Sequence, residues 1–433
     1  MIPRLVWRRR SATAVGIYAS AALGILGTIV AARVLGVDGF GVYAVALATA
    51  GFFQALLDLT VEESLTKYGF RYVTAEDWGR LRRLFRKALQ LKLLGGLVAS
   101  LVLVALAPVA DTLFDTDGLL APMLAVAALP LVQAPENVAS TALLLRGRYD
   151  VRGWLQALSM GLRLAAIAVG TQFGVTEAML GLVVAQAVAT AATGWVGWEA
   201  FRRFPSAPER SLGEDRADVR AFVAYSSVAT GMISLRTTLA PLLLGIVSNT
   251  TQVGLLRVAQ APQTGLTSLS SPVRLILLTE QTRDWERGDR HGVLRGVRVY
   301  TAAGTVLMVV AVPVFLLLMP WLVRVVFGSD YTDAVAAARI ALVAAAIQFA
   351  YGWTKSFPVS IGRPNLRILT HGVETAVLLP LTAVFGATWG VTGAAVAMLV
   401  ATVVFAALWT VLLIRIHGAT PQPSPPAEGA LAP

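Results

Sequence analysis

The sequence predicts an all-α polytopic membrane protein, with twelve transmembrane helices in two parallel six-helix repeats around a central cavity. Three observations predict it. Apolar residues make up 56% of the 433 positions and charged residues 14%, where a soluble domain carries about 25% charged residues; the mean hydropathy is +0.69. The charges are clumped, so that apolar runs reach the ~20 residues a membrane helix needs. Finally, short segments of the first half recur in the second in the same order.

Taken along the chain, apolar spans fall at roughly 12–32, 40–61, 88–108, 119–145, 153–173 and 176–198, then 221–247, 251–279, 297–321, 334–358, 365–386 and 389–414. The opening "MIPRLVWRRR" and the run after it resemble a signal peptide, but the run passes straight into another span and reads as an uncleaved first helix. "EDWGRLRRLFRKALQLKLL" (76–94) alternates cations with Trp78, Leu81, Leu84 and Phe85, as an interfacial amphipathic helix leading into the third span would. The Pro-rich tail 417–433 reads as disordered. The expected organisation is a six-helix bundle over 1–200, a cytoplasmic linker over 201–220, a second bundle over 221–416, and the tail.

The connections alternate in charge. Basic residues crowd the odd-numbered ones, such as Arg80 to Lys87, Arg146 to Arg152 and Arg202 to Arg220, whereas "DTLFDTDG" (111–118) and "SNT" (248–250) have none. Basic loops resist translocation, so both termini are expected on the cytoplasmic side of the cytoplasmic (inner) membrane. The net charge of +11 is then topology, not a nucleic-acid footprint.

The repeat is read from matched segments. "IVAARVLGVDGFGVYAVALATAGFF" (29–53) aligns with "LLLGIVSNTTQVGLLRVAQAPQ" (242–263), placing Gly41 on Gly254 and Ala46 on Ala259; Pro108 falls on Pro320, and Gly147 and Arg148 on Gly362 and Arg363. An even number of spans per half makes the repeats parallel, and transporters built this way bind substrate between halves that rock. Glycines in the first of these turns (Gly36, Gly39, Gly41) permit a tight reversal.

Several chemistries are disfavoured. Cysteine is absent and the three histidines are scattered, so no metal site and no cofactor is expected. No nucleophile elbow or Walker loop is present, and the outer loops are too short to hold a catalytic domain. The protein is read as a non-enzyme.

"ARVLGVDGFGVYAVALA" (32–48), "RGRYDVRGWLQAL" (146–158), "VVFGSDYTDA" (325–334) and "SIGRPNLRIL" (360–369) resemble segments of the bacterial Wzx-type oligosaccharide flippases. That family belongs to the superfamily that also holds multidrug extruders and lipid II flippases. The second half departs from the family pattern at Leu256 and Ala240, where an aromatic and an acidic residue are common. The resemblance implies a flippase that carries a polyprenyl-diphosphate-linked oligosaccharide across the membrane by alternating access. Membrane lipids and a polysaccharide polymerase or glycosyltransferase are the implied partners.

Ionisable groups inside spans mark pathways or buried pairs. Arg163, Arg236, Arg257, Arg274 and Lys355, together with Arg33 at the outer turn, are the candidates for a cationic substrate cavity; Glu136, Glu374 and Asp58 are candidate charge partners or coupling groups. The bland reading pairs them structurally, for example Arg163 with Glu136 or Glu374. The cations outnumber the anions, and the arginine fork suits a diphosphate. Gln54, Gln133, Asn137, Gln156 and Gln260 are candidate sugar partners, or ordinary interhelical contacts. The alternative function is a cation-coupled drug extruder of the same fold, or a non-transport membrane protein of polysaccharide assembly.

Overall fold

The computed structural model describes residues 4–57, 61–266, 281, 284–285, 289–361, 363 and 365–418. The elements are α1 (Arg4–Leu57), α2 (Val61–Thr74), α3 (Trp78–Leu106), α4 (Ala110–Leu113), α5 (Leu120–Val126), α6 (Leu129–Leu145), α7 (Tyr149–Gly170) and α8 (Val175–Arg202) in the first half of the chain. The second half holds α9 (Asp215–Ser234), α10 (Ala240–Val247), α11 (Thr250–Ala259), α12 (Arg290–Val326), α13 (Ala334–Ala350), α14 (Phe357–Ser360) and α15 (Asn365–Gly418). Asp58, Arg274 and the tail 419–433 lie outside the described residues, as does the side chain of Arg236.

Two of these helices each hold two spans. The chain of α1 reverses at Gly36, whose φ of 68° is left-handed, and that of α15 at Gly390, with φ 55°. A side chain there would meet the Cβ strain of the left-handed region, which glycine lacks. In the second half the turn equivalent to Gly36 is built differently. Asn249 is extended, and its side chain accepts from the Gln252 backbone N–H at 3.0 Å, an N-cap that satisfies one orphan donor of α11.

Other expected spans are broken by proline. The fourth divides into α5 and α6 at Ala127–Ala128, ahead of Pro130 in the first turn of α6. The seventh passes from α9 through a π-helical turn at Leu235–Leu239 into α10, whose first turn holds Pro241. Proline supplies no N–H, so the helical ladder must slip or end there. The tenth ends as α13, followed by a tight 3-10 turn at Gly352–Lys355. Lys355 therefore sits on irregular backbone and not within a regular span.

The two halves meet at the reversal. A Cβ on Gly254 would lie 3.1 Å from the Gly41 Cα, and one on Gly41 only 2.5 Å from the Thr250 carbonyl oxygen. Thr251 donates from Oγ1 to Asp38 Oδ1 at 2.7 Å. Gly41 with Gly254 and Asp38 with Thr251 are both repeat-equivalent pairs, so the local two-fold axis of the repeat runs between them. A large apolar core surrounds this crossing, with Phe40, Tyr43, Val45, Phe114, Leu244, Leu256 and Tyr331 all buried.

At the opposite end, which carries the basic connections, the expected interfacial helix is instead the first part of α3. Its apolar face, Leu81, Leu84, Phe85 and Ala88, is buried against protein, and Trp78 stacks on Phe204 at 5.6 Å. Three of its cations are paired: Arg83 and Arg86 reach Glu209 at 3.1 and 3.2 Å, and Arg80 lies 3.5 Å from Asp215. The amphipathic pattern is satisfied by α2, α6 and the stretch from the end of α8 into α9 rather than by a lipid surface.

Candidate functional site

Two cavities share one wall; the first is lined by residues of both halves, the second by residues of the second half alone. The first, about 450 Å³, is lined by Ser20, Gly24 and Tyr43 of α1, Arg163 and Ile167 of α7, and Arg257 of α11. The second, about 510 Å³, is lined by Thr237, Gln348, Lys355, Arg367, His371 and Glu374, and again by Arg257. Gln260 and Thr264 also face both. The shared wall is α11 and the residues that follow it as far as Thr264, packed on α1 through the glycine crossing.

Arg163 is held by amides. Its guanidinium donates to Gln186 Oε1 (3.0 Å from Nε) and to Gln133 Oε1 at 3.3 Å, and the Gln186 amide donates in turn to Glu136 at 2.5 Å and Thr190 at 2.9 Å. Gln186 is fully buried. The Arg163–Glu136 pair read from sequence thus forms through an intervening glutamine, which fixes the guanidinium at the cavity edge. The guanidinium lines the first cavity, whereas Glu136, on the far side of Gln186, does not.

Arg257 is different. It projects from the shared wall near Tyr43, and among the described residues it makes no side-chain hydrogen bond or salt bridge. An arginine with five donors in such a place requires water or an anionic ligand.

Across the second cavity Glu374 is not bonded to Arg163. Its carboxylate lies 3.1 Å from His371 Nδ1, and the His371 ring stacks on Phe405 at 5.2 Å. Gln263 donates to Gln348 at 2.9 Å, and Gln348 to Thr402 at 3.1 Å. The described lining of the two cavities thus holds Arg163, Arg257, Lys355 and Arg367 against the single carboxylate of Glu374.

The structure corrects the placing of Arg33 among the cavity cations. Its guanidinium donates to the carbonyls of Val326, at 2.8 Å, and Val325. Those are among the last carbonyls of α12, which have no intrahelical partner and sit at the negative end of the helix dipole. Tyr331 returns the contact, its hydroxyl 2.8 Å from the Ala32 carbonyl and 3.0 Å from that of Gly36, at the end of the first span. Each half caps a helix of the other. Thr116 and Thr250 add a hydroxyl pair at 3.1 Å.

Of the expected sugar partners, Gln260 lines both cavities. Gln54, Gln133 and Asn137 surround a separate void of about 10 Å³, room for about one water, and Gln156 is exposed away from the cavities. The sequence reading missed Gln186, Gln348, Arg367 and Tyr43. It also missed Lys92, a buried cation 2.8 Å from Glu62; an apolar run with a lysine in its middle was the available signal.

Twelve spans in two parallel repeats, closed around a cation-lined cavity, define a multi-pass membrane protein with the fold of membrane transporters and flippases. The chain belongs to the family described as polysaccharide biosynthesis protein, whose model matches residues 6–274. Among solved structures, the lipid II flippase MurJ in an inward closed conformation is similar with a TM-score of 0.72 at 10% identity, covering 95% of this chain and 93% of that one. An inward-facing multidrug resistance MATE family transporter of the MOP superfamily has a TM-score of 0.66 at 12% identity, covering 96% and 100%. A mutant of the Vibrio cholerae MATE transporter VcmN has a TM-score of 0.61 at 12% identity, covering 96% of each chain. At these identities the likeness is one of fold. No curated protein sequence matches the chain.

Proposed function

We propose that the protein flips a polyprenyl-diphosphate-linked oligosaccharide across the cytoplasmic membrane by alternating access between its two halves, with both termini cytoplasmic. The observation that carries this reading is Arg257, which faces both cavities and makes no hydrogen bond or salt bridge among the described residues. Arg163 on one side and Lys355 and Arg367 on the other extend the positive field. A diphosphate bound at Arg257 would replace water around its guanidinium, while the amides of Gln260 and Gln348 offer donors and acceptors to a sugar. Arg236 and Arg274 belong to the proposed cationic set by their sequence positions. The lipid chain stays in the bilayer, so the cavity carries only the polar head.

Membership of the polysaccharide biosynthesis family supports a glycan precursor as cargo. A cation-coupled extruder needs carboxylates able to meet a cationic compound. Here Glu136 is engaged by Gln186 and Glu374 by His371, and the Arg257 guanidinium beside both cavities disfavours a cationic substrate.

The experiment is reconstitution. In proteoliposomes, a fluorescently labelled polyprenyl-diphosphate oligosaccharide should cross faster with the protein than in empty vesicles, and a cationic dye should not. Dye transport with no movement of the lipid-linked glycan would replace this function with the extruder.

A further inference from the structure

Away from the central cavities, a third cleft of about 300 Å³ lies where α6 ends, α7 begins and α8 ends. Its polar lining is Arg146, Arg148 and Arg203 with Glu199, and its apolar wall is Leu143, Val151, Val196 and Ala200. Part of this lining is the "RGRYDVR" segment (146–152), which plays no part in the transport reading.

The charges are only partly offset. Arg148 Nε lies 3.5 Å from Asp150, and Glu199, the one carboxylate in the cleft's lining, lies 4.0 Å from Arg202. Arg146 donates weakly to the Arg203 carbonyl at 3.4 Å and rests over the Phe204 ring at 5.1 Å, which fixes its direction. Among the described residues the Arg203 guanidinium has no hydrogen bond or ion pair. Three guanidiniums around one cleft repel each other unless an anion sits between them.

The depth of the cleft indicates where that anion comes from. Trp195 and Trp198, one to two turns before Arg203 on α8, are 72% and 58% exposed, and Trp154 on α7 is 56% exposed. Exposed tryptophans at the end of a span mark the headgroup layer, and basic pockets between spans at that depth bind lipid phosphates. The apolar wall suits the glycerol and first methylenes that accompany such a phosphate. The volume is at the lower end for a small-molecule site, which fits a headgroup better than a whole glycan.

We propose that this cleft holds the phosphate headgroup of an anionic membrane phospholipid, as a site separate from the transport cavity.

The test uses the full chain in nanodiscs, of phosphatidylcholine alone or of equimolar phosphatidylcholine and phosphatidylglycerol. Phosphatidylglycerol retained through purification is counted by native mass spectrometry, and thermal unfolding is followed in parallel. The wild type should retain phosphatidylglycerol and unfold at a higher temperature in the mixed discs. An Arg146→Gln/Arg203→Gln variant should retain it about tenfold less well, as expected for losing charge-assisted hydrogen bonds. Should that variant not fold, Ala200→Leu keeps every charge and fills the cleft, and should also lower retention. Inorganic phosphate, added to phosphatidylcholine discs, should not reproduce the stabilisation. Undiminished retention in the folded variants, or equal stabilisation by inorganic phosphate, would overturn the lipid site.

Discussion

Thr251 donates its hydroxyl hydrogen bond to Asp38 at 2.7 Å across 213 residues of chain, and the internal repeat makes those two positions equivalent. A contact between equivalent positions can occur only at the axis that relates the halves. Beside it, Gly41 and Gly254 bring two backbones into contact. This crossing, with the reciprocal caps of Arg33 and Tyr331, ties the halves together at the end opposite the basic connections, and opening the halves at this end must break it.

Gly41→Ala is expected to disturb this junction. The new Cβ would meet the Thr250 carbonyl oxygen at 2.5 Å, and backbone cannot rotate away as a side chain can. Overpacking of this kind costs about 1–3 kcal/mol. A fall in the unfolding temperature in detergent is the expected result, and an unchanged temperature would contradict the packing described.

Tyr331→Phe removes a hydroxyl that serves two carbonyls between the halves, at a cost of about 1 kcal/mol. If this junction is the outer gate, the open state gains population. A cysteine replacing Ser20 in this cysteine-free chain should then react faster with an impermeant thiol reagent added from the Asp115 side. Equal labelling rates with and without the Tyr331 hydroxyl would remove the junction from gating.

Gln186→Leu should be more harmful than loss of Arg257. It leaves Arg163 with Gln133 alone and takes the amide donor from Glu136, and unsatisfied buried polar groups cost about 1–3 kcal/mol each. The variant is expected to unfold at lower temperature, whereas Arg257→Gln, which breaks no hydrogen bond or salt bridge among the described residues, should not. The reverse order would show that Arg257 is structural.

Much of this was legible in the sequence, and the limits have physical causes. Spans, parallel repeats and the glycine reversal follow from hydropathy and spacing, which act locally. The central place of Arg163 and Arg257 followed from the cost of charge in lipid. Arg33 was misplaced because a cation near a helix end looks the same in sequence whether it faces a cavity or caps a helix 292 residues away. Gln186 was invisible because a neutral amide carries no such cost, and only folding reveals that it links Arg163 to Glu136. The basic run in α3 read as lipid-facing because its partners, Glu209 and Asp215, come from beyond three further spans.

Those partners give a pH-dependent prediction. Hydrogen bonding from Arg83 first, and then Arg86, holds the Glu209 carboxyl below its ordinary 4.5. A carboxylate with a lowered folded value contributes its stabilisation above its unfolded value, and that contribution is lost as pH falls through the lowered value. Hydrogen–deuterium exchange of 203–214 should therefore be slower in the wild type than in Glu209→Gln at about pH 7, with the two converging on the acid side of 4.5. A ratio that does not change with pH would mean that the pair does not fasten this segment.

The most direct measurement of the central claim is flipping of a polyprenyl-diphosphate oligosaccharide in proteoliposomes by the wild type, Arg257→Lys and Arg257→Gln, at equal protein content. A cation that meets the diphosphate in the cavity predicts near-complete loss in Arg257→Gln. In Arg257→Lys it predicts partial activity, because lysine keeps the charge without the bidentate fork. Wild-type flipping by Arg257→Gln would contradict the account.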